Sequence, residues 1–526
     1  MKYRISVITA LALTAAVPVF SQNLNPQVQV TNDYKADMGK AGKLSVPLEV
    51  PDSLNSFRTS VSYDVFSTPY KGSYEFTPYE ITVTPQKPVS DYSKFYLKAG
   101  AGYSLRPELK AVWTPVRSGS DHRLSVYQDL HGYFGNYSAV DSRDDYSGYD
   151  FSEKVGLDGR WFGRDLTLKY GLDYTGIFTD DYDAGILFHD FTLRGGLRSD
   201  TDAKIVYGMD LELNQAFDSQ LSQTGIKMKG GVYPNWMLPF DLRIDFNLEY
   251  DYYSNVYGNN FVAQISPKAL FEWEMVKLQA GVNLSPASDI QWIYPDVLVT
   301  ADLLDNTMQA YAFVKGGKFV QSYTELKLAD HWFNTAYTAG IKPTLERLNA
   351  GLGLRGSVLK YLQYDIRGGW ASYSDAALAA LIAGSTAGQL ESRIAYTDYN
   401  TLYADIDADW KSPRFEAGAS VKIRKTNLDV NSNYLDLPQF AIDFDALYNW
   451  NSRIFAGIDC KAQTLRDGLY PVDGFVDLGL KGEYRTTGLL GAWARVGNIL
   501  NQKVAVSPLH IRKGIYFTAG ITLNVR

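Results

Sequence analysis

Apolar and polar residues alternate strictly along this chain, in segments longer than the strands of most globular proteins. The sequence ends on GIYFTAGITLNVR, in which Ile515, Phe517 and Val525 have one parity while Tyr516 and Asn524 have the other. Successive side chains of a β-strand point to opposite faces, so this segment predicts a strand with one apolar and one polar face. Such a strand fits the surface of a soluble β-sandwich or the wall of a membrane barrel.

The length of the alternating segments separates these two structures. The same pattern recurs in TDAKIVYGMDLELN, PFDLRIDFNLEYDYY and QFAIDFDALYNW, each about 10–14 residues long. Strands of globular proteins cluster near about 5–6 residues, whereas a tilted strand that crosses a membrane needs about 9–11. The segments therefore predict transmembrane β-strands.

Composition agrees with this prediction and excludes some partners. Aromatic residues make up 14% of the chain, with 38 Tyr and 25 Phe, and amphipathic rings suit membrane interfaces. The net charge of −7 argues against nucleic acid as a partner. Cys460 is the only cysteine, so no disulfide forms within the chain.

The N-terminus predicts export. The stretch MKYRISVITALALTAAVPVFSQ places Lys2 and Arg4 before an apolar run, which is typical of a signal peptide over residues 1–21 with cleavage near Ser21/Gln22. The apolar run is too short and wrongly flanked for a spanning helix. We expect the mature protein in the outer membrane of a Gram-negative cell.

Connections between the predicted strands alternate in length. Short polar turns such as FGR, KSPR and RTTG take turns with longer links at about 135–150, 316–345 and 374–398. Short periplasmic turns opposite long external loops are typical of outer-membrane barrels. The prediction is an all-β, transmembrane antiparallel β-barrel of about 22 strands over residues 94–526, in which the last strand pairs with the first near KFYLKAGAGYSL.

Residues 22–93 show no sustained apolar period. Prolines that interrupt strands and helices recur there, namely Pro26, Pro47, Pro51, Pro69, Pro78, Pro85 and Pro88. We expect an extended, Pro-rich periplasmic arm without a complete plug; a mobile linker is the alternative.

Several longer stretches resemble a known family. VQVTNDYKADMGKAGKLSVPLEVPDS, YLKAGAGYSLRPELKAVW, IKPTLERLNAGLGLRGSVLKYLQYDIRGGWASYSD and the closing RVGNILNQKV and GIYFTAGITLNV resemble TonB-dependent receptor-like outer-membrane barrels. The resemblance implies uptake of a solute through the barrel. Members of that family carry a folded plug of well over a hundred residues, whereas about seventy mature residues precede the first strand here. The chain is therefore expected to be a plug-deficient member.

Alternating charges on three neighbouring predicted strands form a candidate lumen charge stripe. It consists of Asp405, Asp407, Asp409, Asp443, Asp445, Lys422 and Arg424. A carboxylate-lined lumen would concentrate cations and repel anions; a solvated wall with cross-strand ion pairs is the alternative. A calcium loop is not expected, because carboxylates two residues apart on a strand lie roughly 6.6 Å apart along its axis.

One segment looks helical. In SDAALAALIAG, Ser374 or Asp375 could cap a helix that ends at Gly384, and such a helix in a long loop could constrict the pore mouth or pack as a short loop helix.

No motif indicates an enzyme or a cofactor. The five histidines are scattered without a zinc-ligand spacing, and neither a nucleophile elbow nor a P-loop is present. We expect no catalytic residue, no metal and no cofactor.

The sequence thus predicts an outer-membrane β-barrel for passage or uptake of a solute. The expected partners are outer-membrane lipid, an unknown small solute and a possible periplasmic or outer-membrane protein. The alternative function is a structural or accessory subunit of an outer-membrane complex. A soluble secreted β-protein is a third interpretation.

Overall fold

The computed structural model describes residues 94–525, apart from the short segments 116–120, 142, 181–184, 200–204, 235–239, 255–257, 287–291, 305–306, 334–339, 359–360, 385, 430–431 and 487–488. The predicted signal peptide (1–21) and the predicted arm (22–93) lie outside the described residues. No helix in the part of the chain that is described is long and apolar enough to cross a membrane.

The described residues form a β-barrel. Its strands are β1 (Phe95–Tyr103), β2 (Glu108–Trp113), β3 (His122–Ser138), β4 (Tyr146–Phe162), β5 (Leu166–Asp180), β6 (Gly185–Ser199), β7 (Ile205–Phe217), β8 (Ser222–Pro234), β9 (Asp241–Tyr253), β10 (Asn259–Trp273), β11 (Val276–Leu284), β12 (Ile293–Leu304), β13 (Met308–Val320), β14 (Pro343–Val358), β15 (Leu362–Ala383), β16 (Leu390–Lys411), β17 (Phe415–Thr426), β18 (Phe440–Trp450), β19 (Ile454–Gln463), β20 (Phe475–Arg485), β21 (Leu490–Gly497), β22 (Val504–Ser507), β23 (His510–Arg512) and β24 (Tyr516–Val525). Each strand from β1 to β20 pairs antiparallel with the next, and β24 pairs with both β21 and β1. The wall is thus a closed antiparallel barrel of 22 strands, which confirms the predicted fold class.

The closing seam joins β1 to β24 in the predicted way. Phe95 lies opposite Val525, and Tyr103 lies opposite Phe517. Phe517 is 47% exposed on the outer face, whereas the neighbouring Tyr516 is only 5% exposed on the inner face. The two parities of the C-terminal segment therefore face outward and inward as expected.

Connections differ between the two rims. Those after even-numbered strands are short, for example 163–165, 274–275 and 412–414, and define the short-turn rim. The longest connections follow odd-numbered strands and lie at the opposite, long-loop rim: 321–342, 427–439, 464–474 and 498–515.

Two of the three predicted long links are wrong in their extent. β3 continues to Ser138 and β4 begins at Tyr146, so strand occupies most of the predicted link at 135–150. The predicted link at 374–398 is also mostly strand, because β15 runs to Ala383 and β16 starts at Leu390. Long strands that extend the wall beyond the other strands replace the expected loops.

The predicted helix at 374–384 is a β-strand. Residues Ala376–Ala383 pair with Leu390–Thr397, and a bulge at Tyr373/Ala376 accommodates Asp375 with a positive φ of 49°. The Ser374 hydroxyl, expected to cap a helix, donates a hydrogen bond to Asp398 over 3.1 Å. Leu381 is fully buried in a cluster with side chains from the long loops. Cross-strand pairing and burial thus override the helix preference of the Ala/Leu run.

One helix, α1 (Tyr323–Ala329), is present among the described residues, in the β13–β14 connection. Ser322 and Glu325 form a capping box, since the Ser322 side chain accepts from the Glu325 N–H and the Glu325 carboxylate accepts from the Ser322 N–H. The hairpin of β22 and β23 is also an addition to the wall, because it lies in the β21–β24 connection. It pairs with the last residues of β3, Tyr137 and Ser138.

The facing of the wall can be tested at the middle of β9. Leu248 has outward parity and Asn247 has inward parity, between Asp245 and Glu249. We expect Leu248→Arg to lower the free energy of unfolding by about 2–4 kcal/mol, because it moves a guanidinium into hydrocarbon. Asn247→Arg should have a small effect, since the new charge lies in the polar lumen beside two carboxylates. Urea titrations in lipid vesicles measure both, and equal losses would contradict the facing.

The closing seam can be tested through Gly520. A Cβ atom at this position would overlap the backbone carbonyl oxygen of Ala99 on β1. Gly520→Val should therefore prevent the seam from closing and leave unpaired backbone groups, which are costly in hydrocarbon. Gly208→Val is the control, because a Cβ there meets the nearest atom, in Arg198, at an ordinary 3.6 Å. Heat-modifiable gel migration should show the folded barrel for Gly208→Val and its loss for Gly520→Val.

Candidate functional site

The predicted charge stripe lies on the inner face of β16, β17 and β18. Asp407 is opposite Ser420, which is opposite Asp443. Asp409 is opposite Gly418, which is opposite Asp445. The strand register therefore gathers these four carboxylates into two adjacent rows.

The part of the stripe around Asp405 is an ion-pair cluster. Asp405 is buried and binds two arginines, with 3.2 Å to Arg367 Nε and 2.6 Å to Arg424 Nη2. Lys422 is the register partner of Asp405 on β17. At this position the wall has cross-strand ion pairs, as in the alternative interpretation of the stripe as a solvated wall.

Two other carboxylates of the stripe, Asp407 and Asp445, have different partners. Asp407 accepts a hydrogen bond from Ser420 Oγ over 2.7 Å, and Asp445 lies 3.9 Å from Lys481 Nζ. A role of these carboxylates in cation preference stays a prediction.

The first part of the β13–β14 connection, residues 321–333, crosses the barrel mouth; we refer to it as the crossing loop. Its helix α1 is fixed to the β7–β8 connection, where Asp218 Oδ2 lies 3.4 Å from the fully buried Lys327 Nζ and also accepts a hydrogen bond from the Tyr323 hydroxyl. Lys327 Nζ further donates to the Phe333 carbonyl over 2.5 Å. Burial lowers the pKa of Lys327, and the Asp218 carboxylate opposes this shift.

The following residues of the crossing loop reach a more distant part of the wall. His331 Nδ1 lies 2.6 Å from Asp150 Oδ1 on β4, and Trp332 Nε1 donates to the Asp180 carbonyl on β5 over 3.0 Å. The Trp332 ring also stacks on His510 of β23, with 4.3 Å between the ring centroids. Because β4 lies nine strands before β13, these contacts carry the loop over the lumen.

A cavity of about 690 Å³ lies beneath the crossing loop. The loop contributes Leu326 and His331 to its lining, and the wall contributes Asp477 and Thr518. Three arginines also line it: Arg106 from the β1–β2 connection, Arg495 from β21 and Arg512 from β23. Pockets for small ligands commonly have about 300–1,000 Å³ with a few convergent polar groups. The arrangement can hold a small solute.

No group of three or more His, Cys, Asp or Glu side chains within the described ranges is arranged to hold a metal ion.

The cavity was not predicted from the sequence. Its side chains come from connections and strand ends that are far apart in the chain, so no local spacing indicates them. The capping box at Ser322 and Glu325 was a readable signal for α1. It would have placed a short helix in the predicted link at 316–345, where the structure has it.

Solved structures of two receptors and a transporter share this fold. The siderophore receptor PirA from Acinetobacter baumannii superimposes with a TM-score of 0.59 at 8% identity, over 82% of this chain and 79% of that one. The copper transporter OprC gives 0.57 at 13% identity, over 82% of both chains. The pyoverdine outer-membrane receptor FpvA from Pseudomonas aeruginosa PAO1 gives 0.56 at 11% identity, over 82% and 78%.

The similarity is one of fold, because no family model matches the sequence and no curated protein matches it. The expected antiparallel β-barrel is confirmed, and its fold resembles that of these three proteins.

The ion-pair cluster predicts unequal consequences within the stripe. Asp405→Asn leaves the guanidiniums of Arg367 and Arg424 without their shared carboxylate, so we expect a loss of about 1–3 kcal/mol in the free energy of unfolding. Asp409→Asn makes the same chemical change at an exposed position and should cost no more than about 0.5 kcal/mol. Urea titrations of both variants in lipid vesicles provide the test. Equal losses would mean that the Asp405 pairs add nothing to stability.

Proposed function

We propose that the protein lies in the outer membrane and takes up a small solute through the barrel. The crossing loop carries this proposal, because it spans the mouth between β4, β13 and the β7–β8 connection and covers a charged cavity. A barrel that served only as a scaffold would not need a covered, ligand-sized cavity at its long-loop rim. The fold shared with a siderophore receptor, a copper transporter and a pyoverdine receptor supports the same function.

In the proposed mechanism the crossing loop is a gate. Solute would bind in the cavity at the long-loop rim and continue into the lumen when the loop leaves the mouth. The movement must break the Lys327–Asp218 ion pair and the His331–Asp150 contact. The movement must also separate the apolar contacts of Tyr323, Leu326 and Phe333 with the wall, so α1 leaves a buried cluster when the mouth opens. The structure in its described state is then the closed state of a transporter.

The role of the N-terminal arm is part of the proposal. We propose residues 22–93 as a periplasmic arm in place of a complete plug, which makes the chain a plug-deficient relative of TonB-dependent receptors. The signal peptide over 1–21, with cleavage near Ser21/Gln22, belongs to the same proposal. Gating by the crossing loop would then carry part of the function that a plug has in those receptors.

Loosening the crossing loop should open the barrel. Asp218→Asn removes the carboxylate that compensates the buried Lys327, so the closed position of α1 loses its ion pair. We expect the variant to show a several-fold higher mean conductance than the wild type in planar bilayers. Glu272→Gln is the control, because it breaks an exposed 3.3 Å ion pair with Lys277 at the short-turn rim and should leave conductance unchanged.

The same recordings decide between the two functions. Conductance that rises only in Asp218→Asn supports a gated uptake barrel. A protein that stays electrically silent in all three forms, although it is folded and inserted, would favour the structural subunit of an outer-membrane complex. Equal conductance in all three would contradict gating by the crossing loop.

A further inference from the structure

Arginine and tyrosine side chains alternate along one side of the cavity. Arg495 Cζ lies 5.8 Å from the ring centroid of Tyr516, and Arg106 Cζ lies 3.6 Å from the same centroid. Arg106 Cζ is also 4.9 Å from the Tyr133 centroid, which Arg512 Cζ approaches to 4.6 Å. We call these five residues the arginine–tyrosine ladder. Each guanidinium is within the range of a cation–π contact.

The three charges of the ladder are compensated unequally. Arg495 Nη2 is 2.6 Å from Asp459 Oδ2, and Arg512 forms an ion pair with Asp150. Within the described residues no carboxylate lies within ion-pair distance of Arg106. The central guanidinium thus leaves one positive charge without a direct partner in the cavity.

Two acidic side chains of the cavity lining have other direct partners. Glu108, two residues after Arg106, is bonded to Lys98 Nζ at 2.6 Å. Asp477 accepts the backbone N–H of Asn498 over 2.9 Å. Burial, followed by the charge of Arg512, lowers the pKa of Arg106 from its usual value, and the charge of Asp477 acts in the opposite direction.

Hydrogen-bond donors of the ladder are left unsatisfied as well. The Nε atoms of Arg106, Arg495 and Arg512 are buried, and none has an acceptor among the described residues. Buried donors are normally satisfied, and those of a charged group are costly to leave without an acceptor. These atoms are covered in this state, so a ligand would meet the ladder at the part of Arg106 that lines the cavity.

Another arginine of the barrel shows what a purely structural stack looks like. Arg243 Cζ lies 4.6 Å from the Tyr233 ring centroid, and its Nε donates to Asp245 at 3.0 Å. Here stacking and charge compensation occur together. The ladder has the stacking without the compensation at its centre.

We propose that the arginine–tyrosine ladder binds the oxyanion group of a small solute, a carboxylate or a phosphate, beneath the crossing loop. A guanidinium fork matches the geometry of both groups and can bind them with two parallel hydrogen bonds. The tyrosine rings stack on the guanidiniums, and Tyr516, which also lines the cavity, offers an aromatic face to the rest of the solute. This inference rests on the proposed function, since it names the chemical class of the solute that enters the same cavity.

The test is calorimetric titration of the full-length protein in detergent micelles with citrate and with inorganic phosphate, against chloride at equal ionic strength. We expect saturable binding of at least one oxyanion by the wild type and none of chloride. Arg106→Gln should weaken that binding by about tenfold or more, the loss of one charge-assisted contact. Arg243→Gln is the matched control and should bind as the wild type does.

If too little Arg106→Gln protein folds, Arg106→Lys serves as the test variant, because it keeps the positive charge but lacks the planar guanidinium group. Several-fold weaker binding by Arg106→Lys supports the ladder. Wild-type affinity in either Arg106 variant, or no saturable heat from citrate or phosphate in the wild type, would overturn it. Tighter binding of citrate or of phosphate tells which oxyanion the cavity prefers. Binding in micelles requires no transport, so a protein that binds citrate but never conducts contradicts the uptake function alone.

Discussion

The structure depends on one backbone interaction, the hydrogen-bonded seam between the first strand and the last. In hydrocarbon no water satisfies free N–H and C=O groups, so a sheet is stable there only when it has no edge. The β1–β24 ladder runs from Phe95–Val525 to Tyr103–Phe517 and removes both edges at once. Gly520 permits the close approach of the two backbones, and the outward side chains on either side of the seam are apolar. Every other feature, including the lumen and its mouth, requires that this cylinder be closed.

A closed cylinder of 22 strands has a lumen that must be covered if the protein is to select its solute. The crossing loop provides this cover through a buried lysine on Asp218, a histidine on Asp150, a tryptophan stacked on His510 and the apolar cluster around Tyr323 and Leu326. These are mainly side-chain contacts, whereas the hydrogen-bonded ladders of the wall are continuous. In the proposed function, this difference would allow the mouth to open while the barrel stays closed.

The barrel was predictable from the sequence, and its mouth was not, for one physical reason. Alternation of period two is a local property, so the facing of Phe517 and Tyr516 follows from the sequence alone. The Ala376–Ala383 segment has a local preference for helix, and only its partner strand and the buried Leu381 cluster decide for strand. The cavity is still less local, because it combines the β1–β2 connection, the crossing loop and the β22–β23 hairpin. The rows of Asp407 and Asp409, and the pairing of Asp405 with Arg367, depend on the strand register, which the sequence does not show.

Asp150 connects the cover of the cavity with the proposed binding site. Its two carboxylate oxygens have different partners, since Oδ1 contacts His331 of the crossing loop and Oδ2 contacts Arg512 of the ladder. An oxyanion that binds Arg512 competes with Asp150 for the same guanidinium and leaves Asp150 with less compensation in a buried site. In the proposed function, Asp150 is therefore the residue at which binding in the cavity and release of the crossing loop would meet, because it contacts both.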